Sequence, residues 1–272
     1  MSLITMSMSM GSGGRAIGKR VAEKLNIEFY DDQRLQQEAV NMGIRADELK
    51  GLDEKAPGLF DRLWGSKPEL YLDLMESVVY EVAGRGEGVI LGHGSQLLLR
   101  DFGCALHVLI HASQLSRLER IMDVHGVSRE VAEKLIEKND HEREGFLRYA
   151  FHMDANDSSL YDLVINTEKM GMDGAEALIM EAARSRKIKE CSIGALESME
   201  RLSLGKRVQA EFLRNHFDLR LLHLEVADKG IVYIRGLTRS EDMAQRLVDV
   251  ARSVPGVNDV QSEVVVMPIS DY

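Results

Sequence analysis

Leu3-Ile4-Thr5-Met6-Ser7-Met8-Ser9-Met10-Gly11-Ser12-Gly13-Gly14-Arg15 decides the fold of this 272-residue chain. Leu3–Met8 carries no charge and reads as a buried strand. A glycine-rich turn follows, and from about Arg15 to Leu25 the apolar Ile17, Val21 and Leu25 recur at a spacing of four, the pattern of a helix with one apolar face. Strand, glycine loop and helix N-terminus in that order build an anion site, because successive N–H groups point into one concavity and the helix dipole adds partial positive charge. The ligand this implies is a phosphate. The same residues also read as a tight strand-to-helix turn that holds nothing.

The phosphate-binding pattern G-x-x-x-x-G-K-[ST] aligns with its second glycine at Gly13. Met8 then stands at the first glycine, Gly14 at the lysine and Arg15 at the hydroxyl, so lysine and hydroxyl are both absent from their usual places. Arg15 offers a guanidinium suited to phosphate oxygens, and Ser7, Ser9 or Ser12 offers a hydroxyl.

Composition bounds the rest. The length suits one large or two modest domains with a real core. The formal net charge of −10 argues against nucleic-acid binding. Cys104 and Cys191 offer no disulfide framework and suit a reducing compartment. No apolar run approaches a membrane span, and the opening segment lacks the basic stretch of a signal peptide, so the expected location is cytoplasmic.

To about residue 187 strands and helices alternate. Strands are expected at Leu3–Met8, Glu28–Tyr30, Gly88–Leu91, Ala105–Ile110 and Tyr161–Asn166, which predicts an α/β fold, a parallel sheet covered by helices on both faces. Ser66 and Pro68 start a helix that Gly84 ends; two more, near Gln114–His125 and Ser128–Asn139, meet at a turn at Gly126. Residues 188–202 read as a linker. After it come an amphipathic helix at Leu204–His216, strands at Leu219–Val226 and Ile231–Arg235 joined by Asp228-Lys229-Gly230, a helix at Ser240–Ser253 and a last strand at Val260–Met267, a small α+β domain over 203–272. His107 and His111 with Cys104 suggest a metal set, but side chains 107 and 111 on one strand stand about 13 Å apart, so no metal site is expected.

Several segments together resemble the cytidylate kinase-like family of P-loop nucleoside monophosphate kinases over residues 1–187. They are Gly11-Ser12-Gly13-Gly14-Arg15, Phe29-Tyr30-Asp31, Gly88-Val89-Ile90-Leu91-Gly92, His107-Val108-Leu109-Ile110, Arg117-Leu118-Glu119-Arg120-Ile121 and Tyr161-Asp162-Leu163-Val164-Ile165-Asn166-Thr167. A loop with glycine where lysine is usual is itself this family's form. The resemblance implies transfer of the terminal phosphate of ATP, with Mg²⁺, to CMP or a similar nucleotide, a reaction catalysed by positioning and charge. It implies a phosphate cradle at Gly11, Ser12, Gly13, Gly14 and Arg15. Arg15, Arg117, Arg120 and Arg143 become catalytic candidates, with Lys138 and Arg148 beside Arg143 in the segment matching the lid. Asp31 and His93 are placed at the acceptor. Each has a plainer reading too: Arg117 and Arg120 as a solvated helix face, Lys138–Glu144 as a surface charge run, Asp31 as a helix cap.

Three departures from the family pattern keep a second reading open, that of a nucleotide-binding regulator with little or no catalysis. Met8-Ser9-Met10 replaces Arg-Glu-Tyr. Gly92-His93-Gly94 carries histidine where relatives carry an arginine, and an ordinary imidazole is mostly neutral at pH 7. No acid follows the third strand to help hold Mg²⁺. Residues 203–268 resemble a BON module, on Gly236 and Val254-Pro255-Gly256-Val257 among others. The likeness implies contact with lipid, a hydrophobic ligand or a protein, without stable membrane insertion. A packing or dimerisation role, and hence an oligomer, is the alternative.

Overall fold

The computed structural model describes residues 2–45, 68–185, 188 and 190–267. They form two compact units, one from the described residues of Met1–Trp64 and Arg85–Ile193, the other from those of Gly65–Gly84 and Gly194–Tyr272.

In the first unit β1 (Leu3–Met8), β2 (Phe29–Tyr30), β3 (Gly88–Leu91), β4 (Ala105–His111) and β5 (Leu163–Asn166) make a five-stranded sheet of order β2-β3-β1-β4-β5, parallel at every pairing. β1 and β3 are almost wholly buried, as strands with helices on both faces must be. Helix α1 (Gly14–Leu25) lies against the sheet through Ile17 and Val21, and Gly18 is tight there: a Cβ on it would lie 3.0 Å from Met6 Sδ and from the Phe29 ring. The core joins Ile4, Met6 and Val108 to Ile165 and Ile179, so the methionines of β1 are core filling.

α2 (Asp32–Asn41) is capped by Asp31, whose side chain accepts from the Arg34 N–H. Ser66, read as a helix cap, lies outside the described residues. Helix α3 covers Pro68–Ala83, and the short α4 (Ser95–Leu98) follows β3. α5 (Gln114–His125) is capped by Ser113 and closed by Gly126 in the left-handed region. α6, expected to end near Asn139, runs over Arg129–Phe151. The charge run does not break it: it contains no proline, and Lys138 pairs with Glu142 one turn on. α7 (Thr167–Ala183) kinks at Gly171.

Cys104 and Cys191 are bonded to each other across 87 residues. This corrects the expectation that they offer no disulfide framework, and with it the reading that cysteine usage suits a reducing compartment. Strand β4 begins, and the chain beyond α7 ends, at the same edge of the sheet, where Ser2 Oγ also donates to the Ala183 carbonyl at 3.3 Å. Spacing in sequence carries no trace of that convergence.

The second unit holds α8 (Ile193–Arg214), β6 (Leu222–Ala227), β7 (Ile231–Thr238), α9 (Glu241–Ser253) and β8 (Asp259–Val266) in a three-stranded sheet of order β6-β7-β8. β6 and β7 form the expected hairpin, and β8 joins β7 in parallel after the α9 crossover. The stretch read as linker is helical from Ile193, since α8 starts earlier than its apolar pattern suggests. α3 belongs to this unit: Lys206 reaches Asp73 at 2.9 Å and Glu76 at 2.7 Å, and Ser203 Oγ donates to the Ser77 carbonyl. Among the described residues no helix is long and apolar enough to cross a membrane.

Candidate functional site

The loop 9–13 leaves β1 at the carboxyl edge of the sheet, between strands that continue to either side, where ligands of open α/β sheets bind. Gly11 and Gly13 have φ of 82° and 86°, in the left-handed region that favours glycine. At Gly11 a side chain would also clash, since a Cβ there would lie 2.8 Å from the Arg117 carbonyl oxygen; at Gly13 the nearest atoms, Arg120 Nη1 and Met172 Sδ at 3.2 Å, are ends of long side chains, and the constraint is the backbone angle. Gly13 is the N-cap of α1 and no side chain caps it, so the first-turn N–H groups keep no intrahelical acceptor. Ser12 Oγ is fully buried and without a partner. Its backbone is held from the far side, where Thr167 Oγ1 donates to the Ser12 carbonyl at 2.8 Å.

Two arginines of α5 fix the loop. Arg117 Nε donates to the Met10 carbonyl at 2.6 Å, and its Nη2 spans both oxygens of Asp140 on α6 at 2.7 and 2.9 Å. Arg120 Nη1 donates to the Gly11 carbonyl at 2.8 Å. Both side chains thus lie over the loop and not on a solvated helix face. Arg15 turns to the β2 edge, where Asp31 holds it and Asp32 lies 3.7 Å away. Asp32 also meets His93 Nε2 at 3.1 Å. His93 is buried, with φ of 57°. Asp31 therefore caps α2 and faces Arg15 at once.

Between β1, β3 and α6 opens a cavity of about 60 Å³ lined by Ser7, Asp32, His93, Gln96, Asn139 and Arg143, among others. Arg143 bonds Asn156 Oδ1 at 3.1 Å, yet its Nε–H has no partner; Gln96 Oε1 is likewise buried without one. Below the site, burial pushes the His107 imidazole down from its ordinary value, against the pull of Asp162, and Nδ1 sits 2.8 Å from Thr5 Oγ1. Among the described residues no group of three His, Cys, Asp or Glu stands close enough to hold a metal ion.

The structure thus sets Gly11, Ser12, Gly13, Gly14, Arg117 and Arg120 around one loop. Arg15, Asp31 and His93 meet in a second cluster through Asp32, and Arg143 lines the cavity beside His93. Sequence reasoning passed over Asp32, Gln96, Asp140 and Thr167. Thr167 was within reach, as the residue that follows the last strand of the first unit; Gln96 and Asp140 carry no signal of their own.

Comparison with known proteins bears on both units. Residues 3–169 match the model of the cytidylate kinase-like family, and 203–268 that of the BON domain. The chain is 30% identical to a cytidylate kinase of Aeropyrum pernix over 65% of this chain and 95% of that one. It is 28% identical to one of Pyrococcus horikoshii over 66% and 87%. Among solved structures, an uncharacterized protein from Eubacterium ventriosum superposes with a TM-score of 0.53 at 21% identity, covering 68% of this chain and all 100% of that one, a likeness of fold.

Proposed function

This chain belongs to the cytidylate kinase-like family, and from that premise we propose that it transfers the terminal phosphate of ATP to CMP or a close pyrimidine nucleotide. The observation that carries the reading is the glycine loop. Its helix is uncapped, Gly11 and Gly13 hold backbone angles that favour glycine, and a buried hydroxyl without a partner sits at its centre. That combination suits an anion held by backbone N–H groups. The cavity between β1, β3 and α6 would take the acceptor, and the β4–β5 side, with Arg120 and Met172, would take ATP.

On this reading Gly11–Arg15 cradle the phosphates. Arg117 and Arg120 hold the loop's carbonyls away, so that its N–H groups face the anion, and Arg120 adds charge. Arg143 lines the acceptor cavity, and Arg15, fixed by Asp31, borders it through Asp32. Mg²⁺ arriving with ATP would be met by Ser12 Oγ and would neutralise phosphate charge. The function resides in 1–187, with 188–202 leading to a binding module at 203–272; a cytoplasmic setting, where both nucleotides occur, then rests on the proposed reaction and not on the cysteines, which are bonded. Leu221, Leu237, Val265 and Met267 are exposed on that module, and Leu237 pairs with Val265, which supports contact with a lipid or other apolar partner.

The test is ADP release from Mg·ATP with a panel of nucleoside monophosphates, with Arg15→Ala in parallel. Acceptor-dependent release that falls at least about a hundredfold in the variant is expected. Release by folded wild type equal to the rate without acceptor refutes the kinase. A second reading, a nucleotide sensor with little turnover, has one observation in its favour: Arg15, Arg117, Arg120 and Arg143 are all already bonded to groups of the protein itself. Nucleotide binding without release would select it.

A further inference from the structure

We propose that Gln96 reads the acceptor's base, its Oε1 accepting a hydrogen bond from an amino group, so that an aminopyrimidine is taken in preference to its keto counterpart. The proposal rests on the reading of the cavity beside β3 as the acceptor site. Gln96 is 2% exposed and lines that cavity. A buried amide oxygen without a partner is costly in a finished interior and becomes useful where a ligand donor completes it.

Which end of the amide faces the ligand is set by its neighbours. Tyr161 Oη donates to the Ala155 carbonyl at 3.4 Å, which leaves the phenol oxygen as an acceptor. Gln96 Nε2 donates to that oxygen at 3.4 Å. One N–H of the amide is therefore committed to Tyr161, which fixes its orientation and leaves Oε1 as the atom without a partner. Reversing the amide would set an oxygen against an oxygen whose proton is committed elsewhere. Arg143 Nε–H, unpartnered on the same cavity, offers the complementary donor. One acceptor and one donor match an edge that carries an amino group beside a ring nitrogen lone pair. The keto edge, with its oxygen beside a ring N–H, presents the opposite order and leaves both protein groups unpaired. Sites built this way reject the analogue lacking the donor more strongly than apolar pockets reject a misfit.

The experiment compares kcat/KM for CMP, UMP and the 4-deoxy pyrimidinone monophosphate, which lacks the amino group, in the full chain and in Gln96→Met and Gln96→Glu. Wild type should favour CMP over either analogue by about tenfold or more. Gln96→Met should erase most of that ratio, whereas Gln96→Glu, which keeps an acceptor oxygen, should hold it within about threefold. Equal use of CMP and the 4-deoxy analogue by wild type overturns the proposal without any variant, so a Gln96→Met protein that fails to fold leaves it testable. An unchanged ratio in folded Gln96→Met also overturns it. If no nucleotide is turned over, calorimetric binding of CMP and UMP to the full chain decides. Preferential CMP binding lost in Gln96→Met keeps Gln96 while the kinase reading falls; equal binding or none removes the inference.

Discussion

At the scale of single residues the site is governed by who holds each charge. By its sequence position Arg15 is expected at the phosphates, but its guanidinium is shared with Asp31 and Asp32. The spacing of a motif fixes where a side chain starts and says nothing of the acids that approach from another strand. The glycines were legible, because a positive φ and a close approach leave a mark in residue type. Gln96 was not, since a glutamine looks the same whether or not its amide is satisfied. His107 yields a prediction with a definite sign. Burial holds its imidazole below the ordinary value, so the unfolded chain takes up the proton more readily than the folded one. Its contribution is complete above the ordinary histidine value, near pH 6.5, and is lost as pH falls from there toward the lowered value of the folded state. Urea midpoints measured between pH 7.5 and 5.5 should fall in wild type and fall less in His107→Asn; equal slopes would refute this.

Among elements, the coupling that matters joins the loop to the long helix α6. Arg117 bonds Met10 with one nitrogen and Asp140 with another, so one guanidinium sets the position of the glycine loop and of the helix bearing Arg143. Arg117→Lys loses the two-pronged contact, and Asp140→Asn loses the charge. Each should lower kcat/KM by about tenfold, and the double variant should lose little more than the worse single, since both remove one interaction. Fully additive losses in that cycle would show the two side chains acting independently. Sequence pattern recovered the elements themselves well: β1 and β3 have the bounds the apolar runs indicate, and the helices expected near Gln114–His125 and over Ser240–Ser253 run over Gln114–His125 and Glu241–Ser253. It misplaced the ends of α6 and α8, because polar residues continue a helix as readily as they leave one when no glycine or proline forces the issue. The grouping of α3 with the second unit rests on Asp73 and Glu76 meeting Lys206, acids and a lysine that in sequence read as ordinary surface charge.

For the whole molecule the disulfide is the feature that composition least suggested. A bond that closes a loop of this length stabilises by roughly 2–5 kcal/mol, chiefly by limiting the unfolded chain. Reduction, or Cys191→Ser, should therefore lower the melting temperature by several degrees, by about 2–4 °C for each kcal/mol in a chain of this size. A melting temperature unchanged by reductant, with two free thiols titrated afterwards, would show that the bond contributes nothing to stability. The bond also divides the site topologically. Gly11–Arg15, Asp31, His93 and Gln96 precede Cys104, whereas Arg117, Arg120 and Arg143 lie on the circle of chain that it and Cys191 close. A single protease cut anywhere on that circle opens a ring without releasing a fragment, so a nicked chain migrates whole without reductant and as two bands with it. The arginines stay covalently tethered to the glycine loop through such an injury for as long as the sulfurs remain oxidised.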